Sequence, residues 1–166
     1  MLFRSYVSTG GFSGNNPSYA GADFIMTTAD CGSGNKATCS NWLISPEVVM
    51  KDGDQLSFFT RTYRNPAAGA DRLQVRVNTA NGTANVGRDS NSTGGFVKVI
   101  LDINPIFLLD GVGSYPGEWT KYTAIIDGVP VAKKSRIAFR YYVPNGGPLG
   151  DNSVGIGIDQ FSFISK

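Results

Sequence analysis

The stretch that decides the fold is Asp71-Arg72-Leu73-Gln74-Val75-Arg76-Val77-Asn78-Thr79. Its apolar residues Leu73, Val75 and Val77 share one parity, and polar or charged residues alternate with them. Successive side chains of a strand point to opposite faces, so the alternation is typical of a strand with one buried and one solvated face. The stretch therefore predicts part of an antiparallel sheet whose second face meets water.

Other stretches share this strand character, and they extend over most of the chain. They are Tyr19–Thr27, Trp42–Met50, Gln55–Tyr63, Phe96–Ile103, Glu118–Ile126, Lys134–Val143 and Gly155–Ile164. Residues typical of turns separate them, and no window of about 11 residues has a helical period. Eight or nine strands without helices predict a sandwich or a barrel. The polar segment 79–95 is predicted to be a long loop at one end of it.

The last strand contains a change of phase. Ile156 and Ile158 share one parity, whereas Phe161 and Phe163 share the other. A β-bulge at Asp159-Gln160 would let all four apolar side chains face the core.

Composition limits the function. The 166 residues fit a single domain spanning 1–166, and the absence of histidine removes Ser-His-Asp triads, His-ligated zinc and imidazole acid–base catalysis. A carboxylate pair could serve a glycosidase, but Asp71, Glu118 and Asp127 have no context that singles them out. A net charge of +2 without a basic run predicts no nucleic-acid partner, and the lack of a long apolar run predicts no membrane insertion.

The two cysteines, Cys31 and Cys39, flank a short polar loop. In an exported protein they would form a disulfide, which we favour. The alternative is a pair of reduced thiols in a cytosolic loop, because zinc would need further soft ligands.

Several blocks of the chain together carry a resemblance to a known family. They are Asn41–Pro46, Gly53–Thr62, Asp71–Arg76, Trp119–Thr123, Arg136–Val143 and Gly157–Asp159. In this order they resemble the choice-of-anchor J domains of secreted bacterial proteins, relatives of the cleaved-adhesin domains of surface proteases and haemagglutinins. The resemblance implies a jelly-roll β-sandwich, secreted or at the bacterial cell surface. It also implies that the first strand, before Gly11–Asn15, is missing.

The resemblance further points to a structural Ca²⁺ at Asp159, since related jelly rolls carry one where the first and last strands meet. Calcium takes roughly six to eight oxygens, so Asp159 would need backbone carbonyls or a carboxylate such as Asp23 or Asp151. The alternative is that Asp159 caps the bulge or pairs with an arginine.

Arginines beside aromatic residues form the candidate ligand site. Arg61, Tyr63, Arg140 and Tyr142 could stack on a sugar and hydrogen-bond its hydroxyls, and the loops add Tyr115, Asn145 and Asp151. The alternative is that the arginines cover the sheet with their stems and pair with Asp71 or Asp54. Trp42 and Trp119 are predicted to lie in the core.

These observations predict a non-catalytic adhesion module that binds a glycan or a surface protein. The alternative function is structural. A sandwich without its first strand exposes an unpaired edge, and a strand donated by a second copy would build a homopolymer, such as a surface filament or coat.

Overall fold

A computed structural model describes residues 20–22, for which it describes the backbone alone, and residues 36–62, 69–146, 149–152 and 155–166. These residues form ten strands: β1 (Ala20–Ala22), β2 (Ala37–Ile44), β3 (Val48–Met50), β4 (Gln55–Thr62), β5 (Leu73–Val77), β6 (Lys98–Ile103), β7 (Thr120–Ile125), β8 (Lys133–Ser135), β9 (Ile137–Gly146) and β10 (Ile156–Ile164). Within the described ranges no helix has the length and apolarity needed to cross a membrane.

Two four-stranded antiparallel sheets make up the fold. The first sheet has the order β1-β10-β4-β7 and the second has the order β2-β9-β5-β6, while β3 and β8 form a separate ribbon. With the ribbon set aside, the chain alternates between the sheets in the order of a jelly roll, two Greek keys wrapped around one core. The predicted all-β jelly-roll sandwich is confirmed.

The core lies between the two sheets. Phe58 of β4 and Phe139 of β9 meet edge to face across it, with ring centroids 4.8 Å apart. The predicted inward parity of β5 is confirmed, because Leu73, Val75 and Val77 are fully buried. The prediction that the opposite face meets water is wrong at its centre, where Gln74 of β5 is buried as well.

Two predicted strands are each divided in the structure. Trp42–Met50 becomes β2 and β3, which are separated at Pro46, a residue that cannot donate a ladder hydrogen bond. Lys134–Val143 is divided opposite this point into β8 and β9. Ser45, just after β2, pairs with Ile137 at the start of β9: its N–H donates to the carbonyl of Ile137, and its Oγ accepts from the N–H of Ile137.

The predicted bulge in β10 is confirmed. The register with β4 shifts between Asp159 and Ser162, and Gln160 has a left-handed φ of 48°. Phe163 packs against the core, as expected. Phe161 differs from the prediction, because its side chain is 44% exposed, although its ring meets that of Phe139 edge to face with centroids 5.8 Å apart.

Some predictions fall on residues outside the described ones. β1 takes the first position of the jelly roll, where its three residues pair with Ile156–Ile158 of β10. A strand before Gly11–Asn15 would lie outside the described residues, as does Tyr63. Cys31 also lies outside them, so its pairing with the fully buried Cys39 stays a prediction.

Candidate functional site

The candidate site lies on the outer face of the second sheet, the face turned away from the core. Register places Trp42 beside Arg140, Arg140 beside Gln74, and Gln74 beside Asp102, so one row of side chains crosses all four strands. Tyr142 and Ser40 form the neighbouring pair on β9 and β2. The outer face of an antiparallel sheet normally meets solvent, yet Arg140 is only 3% exposed.

A continuous stack of rings and guanidinium groups runs along this outer face. We call it the arginine–aromatic ladder, and its members in order are Phe96, Trp42, Arg140, Tyr142, Arg72 and Phe107. The guanidinium carbon of Arg140 lies 5.0 Å from the ring centroid of Trp42 and 3.9 Å from that of Tyr142. Arg72 lies 5.7 Å from Tyr142 and 5.8 Å from Phe107. Planar guanidinium groups stack well on aromatic faces, which explains the alternation.

The loop 79–96 folds over this ladder. The Nη2 of Arg140 donates to the carbonyl of Ser90 at 2.6 Å, and the hydroxyl of Tyr142 donates to Oδ1 of Asn91 at 2.9 Å. Arg76 donates to the carbonyl of Phe96 at 2.7 Å. Sequence predicted this loop at one end of the sandwich, and the structure places it against the outer face. Its backbone carbonyls need donors, and the arginines of the sheet supply them.

The base of the loop is held by Asn78 at the end of β5. Its Oδ1 accepts from the N–H groups of Ala80, Asn81 and Gly82, and its Nδ2 donates to the carbonyl of Thr83. Where the loop returns to the sheet, a Cβ at Gly95 would come within 2.5 Å of the Asn78 side chain. The tight return at this position therefore requires glycine.

Positive charge exceeds negative charge on the outer face. Arg72, Arg76 and Arg140 lie there, and within the described part of the chain the only carboxylate paired with any of them is Asp102. Asp102 receives two hydrogen bonds from Arg72, at 2.9 and 2.6 Å, and one from Gln74. Arg76 and Arg140 share the Oε1 of Gln74, a neutral acceptor, at 3.0 and 3.5 Å.

The pKa values of the arginines reflect this arrangement. Burial, followed by the charge of Arg76, lowers the pKa of Arg140 to about 10, which keeps it charged at neutral pH. Burial also lowers the pKa of Arg76, although the charge of Asp102 acts in the opposite direction. The hydrogen bond to Asp102 raises the pKa of Arg72. Among the described residues, Arg76 and Arg140 form no ion pair with a carboxylate, and the pKa values of both are lowered.

The structure divides the predicted ligand residues between separate places. Arg140 and Tyr142 are adjacent in the ladder, whereas Arg61 lies on the outer face of the first sheet, 4.0 Å from Glu118. Arg61 and Arg140 therefore cannot contact one ligand. Neither pairs with Asp71 or Asp54, the alternative that sequence left open.

The three loop candidates also separate. Tyr115 is 3% exposed in the core, where its hydroxyl lies 2.6 Å from that of Thr60, so the prediction that it contacts a ligand from a loop is wrong. Asn145 and Asp151 do lie together, with Nδ2 to Oδ2 at 2.6 Å. The Nζ of Lys36 binds the same Oδ2 at 2.8 Å. The hydrogen bonds from Lys36 and from Asn145 both lower the pKa of Asp151.

Asp159, the predicted calcium ligand, is 8% exposed beside the bulge. Its Oδ1 accepts from the N–H of Gln160 at 2.8 Å, as the capping alternative expects. In the portion that the structure describes, no three acidic, histidine or cysteine side chains gather into a metal site. Calcium there would need backbone carbonyls or a carboxylate outside the described residues, such as that of Asp23.

Sequence reasoning missed most of the ladder. Trp42 was predicted to lie in the core but is on the outer face, because it shares the parity of Ser40 rather than that of the inward-facing Leu43. Arg72 and Arg76 were assigned only to a solvated face. The signal that could have found them is the common parity of Arg72, Gln74 and Arg76, since an extended chain through this stretch places all three on one face.

The fold has solved relatives. No family model matches the chain, and no curated protein matches it. The chain is similar to the K1 cleaved adhesin domain of Lys-gingipain from Porphyromonas gingivalis W83, with a TM-score of 0.51, 18% identity, and coverage of 81% of this chain and 69% of that one. This likeness supports a cleaved-adhesin-like fold.

Two further domains of Lys-gingipain give lower scores. The K3 domain from the same strain has a TM-score of 0.48 and 14% identity, over 89% of this chain and 91% of that one. The K2 domain has a TM-score of 0.43 and 16% identity, over 92% and 95%.

Proposed function

We propose that the chain is a non-catalytic adhesion module of the cleaved-adhesin kind, that it belongs among the choice-of-anchor J domains, and that it binds carbohydrate on the outer face of the second sheet. The observation that carries this proposal is the arginine–aromatic ladder. The faces of the half-buried Tyr142 ring are flanked by Arg140 and Arg72, so a sugar would contact the exposed part of this stack, while the guanidinium groups offer donors for its hydroxyls. A surface protein is the second partner class.

The chemistry of the same face argues against hydrolysis. Glycoside cleavage needs two carboxylates flanking the bond. On this face Asp102 is the only carboxylate that the described residues place among the arginines, and Arg72 and Gln74 already occupy its oxygens. The site can therefore bind and orient a sugar without reacting with it.

A glycan array tests the proposal. We expect reproducible binding that Tyr142→Ala weakens by about tenfold or more, because the substitution removes the ring that holds Arg140 and Arg72 in the stack, and tenfold corresponds to about 1.4 kcal/mol. Tyr142→Phe keeps the ring and loses only the bond to Asn91, so it should bind almost as well. Arg61→Ala, on the opposite sheet, is the matched control. Binding that survives Tyr142→Ala unchanged would place the ligand elsewhere.

The alternative function is self-assembly, which one feature of β10 favours. β1 pairs only with Ile156–Ile158, and in the described structure Ser162–Ile164 pair with β4 alone. Such a strand edge can accept a strand from another copy. Analytical ultracentrifugation of the same protein at high concentration distinguishes the two functions. A stable monomer supports the binding module, and polymers support the subunit of a filament or coat.

A secreted or cell-surface location, a Cys31–Cys39 disulfide and a Ca²⁺ ion at Asp159 complete the proposal. A ligand that binds only the folded state raises its melting temperature. We therefore expect EDTA to lower the melting temperature of the wild type and to leave that of Asp159→Asn unchanged. Equal melting curves of the wild type with and without EDTA would remove calcium from the proposal.

A further inference from the structure

The excess positive charge of the outer face lies at Arg76 in particular. Its Nε donates to Gln74 and its Nη1 to the carbonyl of Phe96, and both acceptors are neutral. Among the described residues no acceptor lies within hydrogen-bond distance of its Nη2. Arg76 is half-buried, so its charge is partly removed from water, and the charge of Asp102 offsets only part of this cost.

The neighbours of Arg76 do not supply the missing anion. Arg140 and Arg72 carry the same charge, and the single carboxylate, Asp102, is bound by Arg72 and Gln74. Three cations and one anion leave an excess of two positive charges on one sheet face. An arrangement of this kind attracts an anionic group, because charge-assisted hydrogen bonds to a carboxylate or sulfate are stronger than those to neutral oxygens.

We propose that the outer face binds an acidic polysaccharide, with a carboxylate or sulfate group of the sugar held by the guanidinium of Arg76. This inference rests on the proposed carbohydrate-binding function and specifies its ligand class. A sugar is favoured over an acidic peptide because Tyr142 and Arg72 extend the site as a flat stack beside the excess charge. The exposed part of such a stack suits the apolar surface of a sugar ring, with donors beside it for the hydroxyls.

A half-buried charge without an ion-pair partner destabilises the fold, so the proposal also predicts how a substitution of Arg76 affects the melting temperature. Arg76→Gln removes the cation and places an amide donor at about the position of Nε, beside Gln74, while the bond to the carbonyl of Phe96 is lost. The fall in repulsion on Arg140 offsets this loss, so the melting temperature should change little. Binding of an anion should fall by about tenfold or more, the usual effect of one lost charge-assisted bond. A residue that serves only the fold would show the reverse pattern.

The experiment measures binding of the immobilised full chain to three soluble polymers: dextran sulfate, polygalacturonate and neutral dextran. We expect tight binding of at least one acidic polymer, weakening with salt, and a loss of about tenfold or more for Arg76→Gln. Arg76→Lys, which keeps the charge, should retain most of the affinity. Arg61→Gln removes the same charge from the opposite sheet and should change the affinity little.

Each outcome decides one of the claims. Preference for dextran sulfate or for polygalacturonate distinguishes a sulfate from a carboxylate ligand. Equal loss in Arg76→Gln and Arg61→Gln would mean attraction by net charge alone and would overturn the inference. Binding of neutral dextran alone, unaffected by Arg76→Gln, would overturn the inference and leave the proposed function standing. No binding of any polymer, together with an array without hits, would overturn both.

Discussion

Replacing Asp71 by Asn is expected to lower the free energy of unfolding by about 3 kcal/mol. Asp71 is 1% exposed and joins the two sheets. Its Oδ2 accepts from the hydroxyl of Thr62 on β4 at 2.7 Å, and its Oδ1 accepts from the hydroxyl of Tyr141 on β9 at 2.5 Å and from the N–H of Gly155 at 3.0 Å. Three donors point at two carboxylate oxygens. An amide would offer one oxygen and turn an NH₂ group toward a donor.

Urea denaturation of three variants measures this effect. Tyr141→Phe removes one of the three bonds and should cost about 1 kcal/mol. Asp110→Asn makes the same chemical change at an exposed residue of the 104–115 loop and should leave the unfolding midpoint where it is. A loss below about 1 kcal/mol for Asp71→Asn would mean that the carboxylate does not hold the sheets together.

Arg140→Ala is expected to release the loop 79–96 from the sheet and to lower the free energy of unfolding by about 3 kcal/mol. The substitution removes the contacts to the rings of Trp42 and Tyr142 and the hydrogen bonds to Ser40 and Ser90. Arg140→Lys keeps the charge but loses the planar fork, so it should recover only a small part of the loss.

Limited proteolysis distinguishes loop release from general destabilisation. In Arg140→Ala we expect cleavage within 79–96 under conditions where the wild type resists, with the rest of the sandwich intact. Arg61→Ala removes a partly exposed arginine from the first sheet and should change neither stability nor cleavage. A loop that stays resistant in Arg140→Ala must be held by other contacts, and the ladder would then not organise this face.

The strands could be predicted from sequence because their information is local. Alternation in β5 and β9 places Leu73, Val75, Ile137 and Phe139 in the core, and the change of phase in β10 predicts the bulge. The division between β2 and β3 had a local signal in Pro46, whereas the division at Arg136 depends on how β8 and β9 pair with β3 and β2, which are distant in sequence.

The site could be predicted only in part, because it depends on register between strands. Arg140 and Tyr142 lie two residues apart on β9, so the sequence of that strand alone predicts that the guanidinium group and the ring lie side by side. Trp42 and Arg72 join them only when β2 and β5 pair with β9 on either side. The covering loop is held by side-chain donors to its carbonyls, which leave no periodic pattern in the sequence.

The outer face of the second sheet is the proposed ligand-binding surface of this domain. Backbone amide chemical shifts, recorded while an acidic oligosaccharide is added, test it most directly. We expect changes concentrated at residues 40–42, 72–76, 88–96 and 140–142. Changes confined to the first sheet, at residues 55–62 and 120–125, would contradict it.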